Sequence, residues 1–182
     1  MANHEKKFIA DSVHILMAFQ RNKFNAGKGS KCMRQVIRDF DTDLKILELR
    51  CRIAGGKWRI HHTVNARDTL KARAYVLHYL LDHPEASGYI DSLWRTALLQ
   101  PENTYHKNFM LDVDTKEEMK LRAVEEACFP AEVYARIETP NGYHYIVEKF
   151  DTRKVCDLSY VTLIRDGYYF IKEIEGRDES KL

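Results

Sequence analysis

The spacing of apolar residues in the first half of the chain predicts three helices. Residues 5–21 carry apolar side chains at helical spacing, and residues 70–81 do the same after Asp68, which is a favourable N-cap residue. Residues 88–99 show a shorter version of the same pattern. We therefore expect residues 1–100 to consist largely of helices.

A basic hairpin is predicted between the first two of these helices. Residues 46–53 alternate between apolar and charged side chains, and residues 58–61 resume the alternation after the Gly55-Gly56 turn. Arginine and histidine occupy many of the polar positions, so one face of this hairpin should be basic.

The segment with the clearest alternation lies in the second half, at residues 108–114. Phe109, Leu111 and Val113 point to one side of the predicted strand, while Met110, Asp112 and Asp114 point to the other. The run Thr115 to Glu118 has the pattern of a capping box and predicts that a helix follows at once.

Two further hairpins are predicted after that helix. Strands near 132–138 and 143–150 flank the turn Thr139–Gly142, and strands near 160–165 and 168–174 flank Asp166-Gly167. The order of elements predicts an α+β fold with a largely antiparallel sheet. We expect one domain over residues 1–182, in which the helices and basic hairpin of residues 1–100 precede a core at residues 101–175.

Composition is typical of a folded protein. Of the 182 residues, 45% are hydrophobic and 31% charged, and the net charge is only +2, so nucleic-acid binding would require local basic surfaces.

No apolar stretch approaches the ~20 residues that span a bilayer, and the polar amino terminus lacks the apolar core of a secretory signal. We therefore expect a cytoplasmic protein with no membrane partner. The four cysteines are too widely spaced to predict a zinc site.

The candidate chemistry centres on two aspartates and one histidine. Asp112 and Asp114 lie about 7 Å apart along one strand face, where their carboxylates could hold Mg²⁺ or Mn²⁺. The alternative is the polar face of an edge strand that ends at a helix cap. His144 begins a strand after a tight turn, where it could contact a phosphate, although a half-exposed strand histidine is the common alternative.

Together these segments resemble the archaeo-eukaryotic primase superfamily, which includes primase-polymerases. The resemblance comes from an apolar strand ending in Asp112-x-Asp114, a helix, and a hairpin with small residues before His144; Thr139–His144 is similar to a segment of phage-type members. It implies an RRM-like catalytic core packed on helices and metal-dependent nucleotidyl transfer. Asp112 and Asp114 would bind Mg²⁺ or Mn²⁺, and His144 would contact the incoming nucleotide. The implied partners are nucleoside triphosphates and single-stranded or primed nucleic acid.

The chain departs from this family at one position. The superfamily has a third acidic residue on a later strand, where Thr162 or a near neighbour stands here, with Asp151, Asp157 and Asp166 as possible substitutes. Without a third acid, the alternative is a non-catalytic nucleic-acid-binding module; a metal-dependent phosphodiesterase or nuclease is another.

Four basic residues are candidates for outer phosphate contacts because arginine and lysine bind phosphate well. Their alternative role is that of surface charges paired with acidic neighbours. These candidates are Arg59, Arg67, Lys149 and Arg153.

Overall fold

The fold is α+β, as the sequence predicts, and contains two four-stranded antiparallel sheets. The computed structural model describes residues 12–20, 31–105 and 107–176. The elements of the first half are β1 (Ser12–Val13), β2 (Ile15–Gln20), β3 (Lys31–Val36), α1 (Phe40–Ala54), β4 (Lys57–Thr63), β5 (Arg67–Asp68), α2 (Thr69–Asp82) and α3 (Ile90–Leu98). Those of the second half are β6 (Phe109–Val113), α4 (Glu118–Cys128), β7 (Val133–Glu138), β8 (Tyr143–Val147), α5 (Arg153–Cys156), β9 (Val161–Ile164) and β10 (Tyr168–Glu175).

The first sheet has the strand order β10-β4-β2-β3, with β2 in its interior. Ile15 and Met17 pack in the cluster formed with α2 and α3, whereas Leu16 and Ala18 pack on the other face against α1. The helix predicted over residues 5–21 is therefore wrong for residues 12–20. A strand covered on both faces is apolar at successive positions and shows no alternation. The remainder of that predicted helix lies outside the described residues.

The predicted strand at 46–53 is also wrong, and with it the first hairpin, because these residues belong to α1. Asp39 caps this helix by accepting a hydrogen bond from the Thr42 backbone N–H at 2.9 Å. Leu47 and Cys51, one helical turn apart, are buried, whereas Leu49 and Ile53 are exposed. The sequence alternates, but only every second apolar residue of the run reaches the core.

The later helices of the first half agree with their predictions. Asp68 caps α2, accepting hydrogen bonds from the backbone N–H groups of Leu70 and Lys71 at 3.0 Å each. The segment predicted over residues 88–99 contains α3. Among the described residues, no helix is long and apolar enough to cross a membrane.

The second sheet has the order β7-β8-β6-β9 and positions the candidate aspartates. The connectivity β6-α4-β7-β8-α5-β9 is the β-α-β-β-α-β arrangement of a split βαβ unit. As predicted, Phe109, Leu111 and Val113 share one face of β6, where they pack in the core with α4, while Met110 lies on the opposite face. The more specific likeness to an RRM-like core stays a prediction.

The last predicted hairpin is wrong because β9 and β10 belong to different sheets. β9 pairs with β6, whereas β10 crosses to pair with β4 in the first sheet. The connecting residues have other partners: the Asp166 carboxylate binds Arg67, and the Gly167 carbonyl accepts a hydrogen bond from the Val64 N–H at 3.0 Å. Asp166-Gly167 therefore links the two sheets and leaves a cleft between their facing surfaces.

Candidate active site

A cleft of about 350 Å³ separates the two sheets, and the three residues of the predicted centre line it together. Asp112 on β6, Asp114 just beyond it and His144 on β8 form one wall. The opposite wall comes from the first sheet, through side chains of β4 and β10. The cleft is therefore built from segments far apart in sequence.

Asp112 stands on an inner strand, with Asp114 just past its end, because β6 lies between β8 and β9. This position excludes the alternative of an edge strand's polar face. The Asp112 side chain is 37% exposed, and Asp114 is exposed where the strand ends. The Asp114 backbone N–H donates to the Tyr160 carbonyl at 2.9 Å and fixes the strand end. Both carboxylates are thus accessible from the cleft on a rigid support.

His144 lies directly across from Asp112 in the antiparallel register. Its Nε2 is 3.3 Å from Asp112 Oδ1, its side chain is only 12% exposed, and its buried Nδ1 has no hydrogen-bond partner. Burial lowers the pKa of His144, and the carboxylates of Asp112 and Asp114 oppose this effect. The neutral imidazole is favoured, and donation from Nε2 to Asp112 leaves Nδ1 as an unsatisfied acceptor. A buried polar atom without a partner is uncommon and marks a position of functional interest.

The turn before His144 rests directly on the end of β6. A Cβ atom on Gly142 would lie 1.8 Å from the Val113 carbonyl oxygen and 2.8 Å from the Thr115 backbone nitrogen. The turn is closed by two hydrogen bonds: Thr139 N–H donates to the Gly142 carbonyl at 2.9 Å, and Gly142 N–H donates to Thr139 Oγ1 at 3.1 Å. Only glycine permits this approach, which brings Asn141 to the cleft beside the aspartates.

The opposite wall contains Arg59, a predicted phosphate contact, and two aromatic residues that sequence reasoning missed. Arg59 lines the cleft, as predicted, and its Nε lies 3.1 Å from Glu173 Oε2. The aromatic side chains of Tyr168 and Phe170 on β10 line the same wall beside His61. Their presence depends on the pairing of β10 with β4, for which the sequence carries no local signal.

The other predicted phosphate contacts lie away from the cleft. Arg67 is completely buried, where it binds both carboxylate oxygens of Asp166 at 2.8 and 3.0 Å and therefore presents no surface to a phosphate. Arg153 is exposed and pairs with Asp151. Lys149 lines a different pocket.

None of the three candidate third acids reaches the cleft. Asp151 and Asp166 pair with arginines, as described, and Asp157 is an exposed residue after α5. Thr162 is the register partner of Asp112 on β9, so an uncharged side chain stands beside the aspartates. Within the described residues, no three His, Cys, Asp or Glu side chains form a group suited to hold a metal.

The two aspartates fit a hard divalent cation because both offer carboxylate oxygens to an open cleft. Mg²⁺ is commonly held by one or two carboxylates, with water and substrate phosphates completing its coordination. Without a third protein carboxylate, such a site relies on the substrate for part of its affinity.

No protein-family model, curated protein or solved structure matches the chain. The interpretation of the cleft therefore rests on its geometry and chemistry.

Proposed function

We propose that this protein is a divalent-metal-dependent nucleotidyltransferase of the primase-polymerase kind, which acts on nucleoside triphosphates and on single-stranded or primed nucleic acid. The observation that carries the proposal is the convergence of Asp112, Asp114 and His144 on one wall of a cleft, with Arg59 on the other. These groups supply the two requirements of phosphoryl transfer, a place for a cation and contacts for phosphate oxygens.

In this proposal each side chain has a separate task. Asp112 and Asp114 hold Mg²⁺ or Mn²⁺, which supplies charge neutralisation at the phosphates and activation of the attacking hydroxyl. His144 orients the Asp112 carboxylate through its Nε2 contact, and when that carboxylate turns to the cation, the Nε2–H is free to donate to a phosphate. Arg59 approaches the same phosphates from the opposite wall, where its charge is held in place by Glu173.

The dimensions and lining of the cleft suit a nucleotide. Ligand pockets commonly enclose roughly 300–1,000 Å³, and the cleft of about 350 Å³ falls at the lower end of that range. Tyr168 and Phe170 offer aromatic surface on which a base can stack. They lie across the cleft from the two carboxylates.

A second candidate, a nucleic-acid-binding module without catalysis, is favoured by one observation. Thr162 occupies the position beside Asp112 where the superfamily would have its third carboxylate. A site with two carboxylates holds a second cation weakly, and such a chain would bind nucleic acid through the same cleft without extending it.

Incorporation of labelled nucleotides separates these functions. Wild type is incubated with NTPs or dNTPs on primed and unprimed templates with Mg²⁺ or Mn²⁺, alongside Asp112→Asn and Asp114→Asn. We expect metal-dependent extension that falls by at least ~100-fold in either variant, since removing one transition-state contact commonly costs that much.

Asp157→Asn is the matched control, because it makes the same chemical change at an exposed aspartate outside the cleft. It should retain wild-type activity. No extension by folded wild-type protein under any of these conditions would reject the proposed catalysis, and retained nucleic-acid binding would then select the second candidate. Cleavage of the template or primer in place of extension would indicate a nuclease.

A further inference from the structure

A second pocket, of about 500 Å³, lies at the opposite end of β6 from the aspartates. Three basic side chains line it: Lys107, Lys149 and Arg165. All three residues are exposed, and within the described part of the chain none has an acidic partner. Phe109 and Phe150 line the same pocket, with their rings in an edge-to-face contact at 6.1 Å. The pocket therefore combines positive charge with aromatic surface.

The basic side chains project from segments that a buried polar network holds in place. Asn65 is buried and binds the backbone of Asn108 in both directions, donating to its carbonyl at 3.0 Å and accepting from its N–H at 2.8 Å. This pair fixes the backbone next to Lys107. Arg67 fixes Asp166, which follows Arg165 directly. Sites supported in this way hold their charges in a constant arrangement.

The charge of this pocket is not cancelled by its one acidic residue. Asp166 lines the pocket, but both of its carboxylate oxygens are bound by the buried guanidinium of Arg67. This internal pair is neutral as a unit, so the three rim cations are left to attract an anion. Each is a solvated charge that can neutralise a phosphate, and the counterions thereby released from the nucleic acid would favour binding.

We infer that this basic pocket binds the sugar-phosphate backbone of a single-stranded nucleic acid, with the two phenylalanines supporting a sugar or base. A basic pocket could bind other polyanions as well; that the ligand is a nucleic acid rests on the proposed function. A positively charged groove with aromatic side chains is the usual composition of a single-strand binding surface.

The position of the pocket suits a strand that also reaches the cleft. Ile164 and Tyr168 line the cleft, while the intervening Arg165 and Asp166 line the basic pocket, so one short segment borders both. Phe109 borders the basic pocket and Asp112 borders the cleft, from opposite faces of β6.

The test measures binding of a fluorescent oligothymidylate of about 20 nucleotides by anisotropy, in EDTA, over a range of salt concentrations. The test protein carries Lys107→Gln, Lys149→Gln and Arg165→Gln together. The control carries Lys45→Gln, Arg52→Gln and Arg73→Gln, which removes the same charge from exposed positions on α1 and α2. We expect the test variant to lose at least about tenfold in affinity at low salt and its salt slope to fall by about 2, since each single-strand contact contributes about 0.7.

The control variant should stay within about twofold of wild type. Equal losses in both variants would show that only net charge matters and would overturn the inference, as would no loss in the test variant or no binding by wild type. The binding test is run without divalent metal, so its result does not depend on whether the protein catalyses nucleotide transfer.

Discussion

The replacement Gly142→Ala tests whether the turn before His144 is held in place by its contact with β6. The added methyl carbon would lie 1.8 Å from the Val113 carbonyl oxygen, whereas ordinary contact begins at 3.4 Å. The neighbouring atoms are backbone, which cannot move aside as a flexible side chain can. The turn and the strand end must therefore separate by more than an ångström.

The expected cost follows from this displacement. Overpacking at a well-packed position typically costs 1–3 kcal/mol, and we expect about 3 kcal/mol here because only backbone can yield. At 2–4 °C per kcal/mol for a chain of this size, the melting temperature should fall by roughly 6–12 °C. A shift of about 1 Å between His144 and Asp112 should also lower nucleotidyl transfer by roughly 100-fold.

Urea unfolding followed by circular dichroism measures the first effect, and Gly88→Ala is the control. No heavy atom lies within 4 Å of a Cβ placed on Gly88, so that variant should stay within about 0.5 kcal/mol of wild type. The reasoning would be refuted if the two variants unfolded at the same urea concentration. Gly142 would then have no steric role in joining the turn to the strand.

Two further predictions concern buried groups outside the cleft. Asp166→Ala should lower the free energy of unfolding in urea by about 3 kcal/mol or more, because it leaves Arg67 buried without its partner. Asp151→Ala breaks an exposed pair and should cost less than about 1 kcal/mol in the same experiment. Burial lowers the pKa of His62 to about 4. Below about pH 6.5 the unfolded chain therefore binds a proton at this histidine, whereas the folded chain does not. Stability should therefore fall by about 2 kcal/mol between pH 7 and pH 5, and His62→Phe should largely remove this loss in unfolding curves at the two pH values.

The elements that the sequence predicted correctly are those with a single buried face or an unambiguous cap. β6 alternates because one of its faces packs in the core and the other borders the cleft, so both the strand and the direction of Asp112 follow from the pattern. The α2 helix begins at its predicted cap, Asp68. Its apolar stripe was predicted on the wrong face, because Leu70, Leu77 and Leu81 are exposed. The residues that pack in the core are Ala72 and Val76.

The failures in the first half occur where the apolar residues do not mark a single buried face. β2 is covered on both faces, so its apolar run has no period that distinguishes it from a helix. α1 carries apolar residues on its exposed face, including Ile53, and these imitate the alternation of a strand. The useful signal was Asp39, whose capping bond begins the helix seven residues before the apparent strand.

The β10 part of the far wall of the cleft could not be predicted from local patterns. Tyr168 pairs with Thr63 in the register of β10 and β4, a separation of more than one hundred residues. The Asp166-Gly167 dipeptide indicated a hairpin because that sequence favours a tight turn, but its carboxylate is bound by Arg67. Tertiary contacts thus changed the role of a strong local signal.

The crossing of β10 has a consequence for the order in which the protein assembles during synthesis. The strands of the first sheet that precede residue 64 leave the ribosome well before β10, at roughly 5–20 residues per second. Until β10 arrives, one edge of β4 has no partner, and pairings between such distant segments form slowly. The β10 part of the far wall therefore forms only after the second sheet has been synthesised, so a nascent chain that stops before residue 168 has the aspartates without Tyr168 and Phe170 opposite them.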